Sequence, residues 1–165
     1  MSIEIREARA GDGAALHAMV RSLAESHGEL AQFRASPADY EVALFGEHPL
    51  VGALLALADG VPAGCAIWHR SFSTFRGRET MYLEDLSVLE AYRRQGIARM
   101  LLKAVARLAV ARGMASISWH LMAWNDGARA LYEEAGADIE EGVCICRLHG
   151  AALERWCERD SLSGL

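Results

Sequence analysis

Residues 81–103, MYLEDLSVLEAYRRQGIARMLLK, constrain the fold of this chain more than any other stretch. They read as a strand, a glycine-bearing turn and a helix. Met81, Tyr82, Leu83, Leu86 and Val88 give the first half the apolar character of a buried strand. Ile97, Met100, Leu101, Leu102, Val105 and Leu108 then recur at helical spacing on one broad face. Gly113, after Arg112, is placed to stop that helix. A helix start leaves four backbone N–H groups unpaired and carries partial positive charge. Gly96 puts no side chain between those donors and a ligand, and Arg93, Arg94 and Arg99 add charge. The pattern predicts an anion site, with phosphate the natural occupant, at the end of a strand. The plainer alternative is a strand–helix connection whose glycine serves the turn and whose arginines are solvated. No Gly-Lys-Ser/Thr phosphate loop and no Gly-x-Gly-x-x-Gly is present, so neither a P-loop nor a dinucleotide fold is indicated.

The flanking sequence supplies a sheet for this unit. Ile3 and Ile5 alternate with polar residues as a first strand. Asp12 stands where it can cap a helix carrying Leu16, Met19, Val20 and Leu23. Ser36-Pro37 reads as an N-cap with proline in the first helical position, opening a helix to about Leu44. Strands are expected over 50–58 and 63–72, joined by the two-residue hairpin signal Asp59-Gly60. Residues 73–78 are polar and read as a loop. A strand over 115–121 has Ile117, Trp119 and Leu121 on one face. Asn125-Asp126 caps a short helix ended by Gly136. A last strand is expected over 139–148 and a terminal helix over 151–158. The order β-α-α-β-β-β-α-β-α-β predicts an α/β chain: a mixed sheet with helices on its faces.

At 165 residues the natural count is one domain, 1–165, large enough to bury a core without staples. No apolar run reaches the roughly 18–20 residues that span a bilayer. The charged N-terminus MSIEIREARAGD lacks the apolar centre of a signal peptide, so a cytoplasmic protein without membrane attachment is expected. The formal charge of −5 argues against nucleic-acid binding and is compatible with a cationic substrate. Cys65, Cys144, Cys146 and Cys157 form no Cys-x-x-Cys pair, and the six histidines lack metal-ligand spacing. Buried free thiols and no metal are expected. In a strand, Cys144 and Cys146 would share one face.

Several short motifs stand in a suggestive order: Phe45-Gly46-Glu47-His48-Pro49, Tyr82-Leu83-Glu84-Asp85-Leu86, Tyr92-Arg93 through Ala98, Trp124-Asn125, and Ala130-Leu131-Tyr132 before Gly136-Ala137. In order and spacing they resemble the GNAT N-acetyltransferases, and within them the diamine branch (spermidine/spermine-type and thialysine-type). The resemblance runs from about Ile5 to Leu148. It implies the GNAT acyl-CoA N-acyltransferase fold, acetyl-CoA as cosubstrate, a homodimer, and transfer of acetyl to a primary amine of a small cationic substrate by direct attack in a ternary complex. A protein or peptide acceptor, or a CoA-binding regulatory domain without turnover, are the competing readings.

Such a transfer needs a held thioester, a neutral amine and a proton for the departing thiolate. An alkylammonium titrates near pH 10.4, so freeing it at pH 7 costs roughly 4–5 kcal/mol. The resemblance makes Glu84 the base that takes this proton, and Asp85 the adjacent acid that helps hold the substrate. Simple alternation puts these neighbours on opposite faces of the strand. Either acid alone could be paired with an arginine instead. Tyr132 is the implied acid for the thiolate, with aromatic packing as the alternative. CoA contacts are implied along Leu86, Ser87 and Val88, at the turn Arg94, Gln95, Gly96, Ile97, Ala98 and Arg99, and at Asn125, Asp126, Gly127, Ala128 and Tyr132. Ser118, Trp119 and His120 fall where the family lines its substrate channel, and Glu141 matches a further substrate-side acid across a small gap. Two departures are visible. Ser26-His27, with Glu29 nearby, replaces an aromatic–acid pair that meets substrate in the human-type diamine enzymes, which leaves His27 as the substrate-side residue. Ala98 replaces the glycine that ends the turn.

Overall fold

A computed structural model describes residues 1–157. By contacts the chain forms two compact units, Met1–Trp124 and a second that begins at Asn125. The first contains a five-stranded sheet: β1 (Ile3–Glu7), β2 (Gly52–Ala58), β3 (Val61–Ser73), β4 (Arg78–Val88) and β5 (Ile117–Ser118). Their spatial order is their chain order. β1 to β4 run antiparallel to their neighbours, and β5 runs parallel to β4. Both turn residues Asp59 and Gly60 have positive φ (48° and 83°), the hairpin geometry their sequence predicts.

Helices cover both faces. α1 (Gly13–Ser26) and α2 (Pro37–Phe45) lie on one, where Leu16, Met19 and Leu44 pack with Ala53, Leu55, Cys65 and Ile67. α3 (Ile97–Ala111) lies on the other, burying Ile97, Leu101, Leu102, Val105 and Ala109. Gly64 permits that approach: a Cβ there would stand 3.3 Å from both Ile97 and Leu101 and 2.8 Å from the Ser87 carbonyl. Met100, expected on the packed face of α3, is exposed.

The Ser36 capping box forms as predicted, its hydroxyl accepting from the Asp39 N–H while the Asp39 carboxylate accepts from the Ser36 N–H. The expected cap of α1 does not form. Asp12 sits at the N-cap position, but its carboxylate takes both guanidinium nitrogens of Arg6 at 2.7 and 2.9 Å. The same carboxylate also accepts from Arg9 N–H at 2.7 Å, so both its oxygens are engaged by residues before the helix. Glu41 of α2 replaces the cap from across the helix pair, accepting from Gly13 N–H at 2.7 Å and from Gly11 N–H.

The second unit carries α4 (Asp126–Glu134) and α5 (Gly150–Cys157). The Asn125 side chain accepts from Ala128 N–H at 3.1 Å, as predicted. The terminal helix forms, but residue 158, its expected end, lies outside the described residues. The strand expected over 139–148 is not formed: none of these residues is in a strand, and Val143, Ile145 and Leu148 are exposed. Gly142 breaks the run with φ 84°, and the described residues of this unit offer no strand for it to pair with. The strand expected over 115–121 keeps only Ile117–Ser118 in register, extended by hydrogen bonds from Ala115 N–H to the Glu79 carbonyl and from Met81 N–H to the Ser116 carbonyl.

Candidate active site

β4 organises the first unit's chemistry through a break in its pairing. Ile67 lies opposite Asp85 and Trp68 opposite Leu83, so the ladder skips Glu84. One extra residue in one strand is a β-bulge, and a bulge re-aims side chains. Here it changes which face the acids share. Ile67 belongs to the face that meets α1, and so does its partner Asp85. His69, two residues on, is on that same face, and Glu84 reaches it: Glu84 Oε2 lies 3.6 Å from His69 Nε2. The neighbours predicted to point apart therefore share a face. Their proximity is felt electrostatically. Burial raises the Asp85 carboxyl to about 6, and the Glu84 charge adds to the shift.

Aromatic rings continue from His69. Tyr82 stacks against His69 with centroids 5.1 Å apart and meets His120 Nδ1 with its hydroxyl at 2.6 Å. Asp85 in turn helps raise the Tyr40 hydroxyl on α2 to about 12, after burial as the larger cause. His27 packs edge-on against Trp124 at 5.2 Å, at the end of α1. Ser118 pairs with Tyr82 across the β4–β5 ladder, and Trp119 follows it.

Beyond Tyr82 the parallel ladder ends. From Leu83 to Val88, no strand among the described residues pairs with that edge of β4. Leu86, Ser87 and Val88 pair with Ala66, Cys65 and Gly64 on the β3 side, leaving their other edge as the one a ligand's amide groups can meet. Ser87 is buried and donates its hydroxyl to the Met19 carbonyl, so its side chain faces the core.

At the head of α3, Gly96 adopts φ 79° and no side chain caps the helix. A Cβ there would meet nothing within 4 Å. Arg94 also has positive φ, 64°. Arg94, Gln95 and Arg99 are exposed around the turn, with Ala98 partly covered and Ile97 anchored in the core. Arg93 is tied back by a hydrogen bond from Nε to the Val88 carbonyl. An open glycine turn, uncapped N–H groups and arginines suit an anion such as a pyrophosphate.

In the second unit, Asn125 to Ala128 form the N-terminal turn of α4, and Tyr132 sits two turns further on, buried. Burial raises its hydroxyl above the ordinary tyrosine range, so it stays protonated at neutral pH. Glu141 is exposed and pairs with Arg129 at 3.2 Å within the same unit. His69 is the residue that sequence reasoning missed. It is one polar residue near the end of an apolar strand, and only the register with β4 reveals its partner. No group of three or more His, Cys, Asp or Glu able to hold a metal occurs among the described residues. Nor is any of their helices long and apolar enough to cross a membrane.

Residues 16–137 match the acetyltransferase (GNAT) family. The chain belongs to that family. It is 35% identical over 162 residues to a thialysine N-epsilon-acetyltransferase of Bos taurus, covering 92% of this chain and 95% of that one. An L-ornithine N5-acetyltransferase of Arabidopsis thaliana is 37% identical over 98 residues, but the match covers only 43% of its length. Among solved structures, an integron cassette protein of V. cholerae superposes with a TM-score of 0.78 at 24% identity, covering 96% of this chain and 99% of that one. An aminoglycoside acetyltransferase from an uncultured soil metagenomic sample gives 0.75 at 24% identity, covering 90% and 100%. At these identities the two superpositions speak for the fold. The GNAT acetyltransferase is thus a mixed-sheet enzyme whose bulged strand carries adjacent acids.

Proposed function

We propose that this acetyltransferase uses acetyl-CoA to acetylate a primary amine of a small cationic substrate, by direct attack in a ternary complex. The observation that carries the reading is the bulge at Glu84, which gathers Glu84 and Asp85 on one face. Two neighbouring carboxylates attract a substrate with more than one ammonium, or with an ammonium beside other polar groups. The relatives support the same class, since the named acceptors of two of them, thialysine and L-ornithine, are amino acids with a side-chain amine. The family match runs across the boundary at Asn125, which supports treating 1–165 as one working domain. A homodimer and a cytoplasmic setting are part of the proposal by family resemblance.

Acetyl-CoA would supply an acetyl group activated as a thioester. Arg94 to Arg99 would hold its pyrophosphate at the α3 start, the free edge of Leu86 to Val88 its amide arm, and Asn125 to Ala128 a further part of that arm. Glu84 would bind the ammonium and help relay its proton away, and Asp85 would hold the substrate's charge. Ser118, Trp119, His120 and His27 would shape the acceptor's surroundings. Glu141, engaged by Arg129, would need to exchange that partner to meet a substrate. Tyr132 would give its proton to the departing thiolate.

The test is a panel of thialysine, L-ornithine, linear diamines, polyamines and a lysine peptide, each with acetyl-CoA, read by mass spectrometry of the products. Acetylation of small amines in preference to the peptide is expected. Products on the peptide alone would move the enzyme to protein acetylation. CoA binding without any product would favour a regulatory domain.

A further inference from the structure

His69 faces Glu84 in a way that makes it more than a neighbour. Its Nδ1 lies 3.1 Å from the main-chain carbonyl of Arg70. A carbonyl only accepts, so Nδ1 must carry the hydrogen. In the neutral ring that leaves Nε2 as a bare lone pair, and Nε2 is the atom 3.6 Å from Glu84 Oε2. In that tautomer two acceptors face each other across this gap. One ammonium nitrogen can bridge this gap at about 2.9 Å from each. Both side chains are open to solute, 38% and 56% exposed.

We propose that His69 Nε2 and the Glu84 carboxylate together grip the substrate ammonium, and that Nε2 is the atom that takes its proton. This rests on the reading of the Glu84 face as the acceptor site. The N–H bond of the ammonium breaks, and its electron pair stays on the amine nitrogen. The proton forms a new N–H bond at Nε2, giving an imidazolium paired with Glu84. When the amide forms, Tyr132 protonates the thiolate, the nitrogen's second proton passes through solvent to restore the Tyr132 hydroxyl, and the imidazolium returns its proton to water. An imidazole suits this task better than a carboxylate. Free imidazole titrates about two units higher than free carboxylate, nearer the operating pH.

The rest of the cluster fixes the ring. Tyr82 stacks on it from β4, and His120 holds the Tyr82 hydroxyl. The other charged groups nearby are Asp85, beside Glu84, and Arg70, which is paired with Glu79. The Arg70–Glu79 pair is self-compensating, so the acids Glu84 and Asp85 set the field at the ring.

The test compares His69→Gln, Glu84→Gln and the natural enzyme with L-ornithine and thialysine from about pH 6 to pH 10. Glutamine can still donate to the Arg70 carbonyl but cannot accept a full proton. His69→Gln is expected to lower kcat/KM by about 10²-fold or more at neutral pH. The loss should shrink towards pH 10, where free amine is abundant. Glu84→Gln losing rate while His69→Gln keeps the natural rate and pH profile would overturn the role of His69 and leave the acceptor site standing. Both variants keeping the natural rate would overturn the acceptor site as well. Imidazole nitrogen NMR on the natural protein, assigned by the missing His69 signal in the variant, gives a reading without turnover. At pH 8 Nδ1 should be protonated and Nε2 bare, and L-ornithine should shift the Nε2 resonance. A neutral ring protonated at Nε2 would overturn the proposal.

Discussion

Asp85 is the residue whose charge costs this fold most visibly. Its carboxyl stands at about 6 in the folded chain against an ordinary 3.8, because burial disfavours the anion and Glu84 repels it. A carboxyl raised on folding favours the protonated native state. That stabilisation is complete below about pH 4 and is lost as pH rises through about 6. Two units correspond to about 3 kcal/mol. Asp85→Asn should therefore be about 3 kcal/mol more stable than the natural chain at pH 7.5, with the gap closing below pH 4. Urea unfolding at the two pH values reads this directly, and an equal gap at both would refute it. Tyr132 poses the other residue-scale question, packing or chemistry. Tyr132→Phe keeps the buried ring and deletes the hydroxyl. With saturating amine, turnover should fall about 10²-fold or more while acetyl-CoA affinity is nearly kept. Natural turnover would leave thiolate protonation to water. The two acids were legible in the sequence as neighbours with a joint role, but not as sharing a face. A bulge belongs to the pairing of β4 with Ile67 and Trp68, and local alternation carries no trace of it.

Elements whose determinants are local were read correctly. Ser36-Pro37, Asp59-Gly60 and Asn125 fix their turns through neighbours one to three residues away, and all three form as expected. Where the determinant is distant, the reading failed. Asp12 looked like a cap, but Arg6 from β1 claimed it and Glu41 from α2 took over. Residues 139–148 were expected to form a strand, but a strand needs a partner as well as a suitable sequence. The α3 turn is the element on which the cofactor reading stands or falls. Gly96→Glu adds a negative charge at the proposed pyrophosphate position. Its left-handed backbone also makes any side chain there cost roughly 1–2 kcal/mol. Since a Cβ at Gly96 meets no atom within 4 Å, the fold should survive the change. The variant is expected to keep a cooperative thermal transition, lowered by a few degrees, while CoA no longer raises it. Full CoA stabilisation in the variant would move the cofactor elsewhere.

At the scale of the whole chain, the four cysteines separate a buried core from an exposed periphery. All four were expected to be buried, but only Cys65 is; Cys144, Cys146 and Cys157 are exposed. The difference follows from the missing strand, which would have given the Cys144–Cys146 segment a covered face. Cys65 sits mid-way along β3 in the cluster beneath α1, and burial pushes its thiol well above the ordinary range. Only the thiolate reacts with a disulfide reagent, and only if the reagent can reach it. Cys65 must therefore wait for the sheet to open, whereas the other three need no opening. A thiol titration of the folded protein at pH 8 should show three groups reacting at the rate of an open thiol and a fourth slower by orders of magnitude. Urea should merge the fourth with the rest across the unfolding transition. Cys65→Ser should remove the slow phase alone. If all four react together under native conditions, the sheet is less protected than its burial implies. If fewer than three react quickly, residues 139–157 are covered in solution, as a second copy of the chain would cover them.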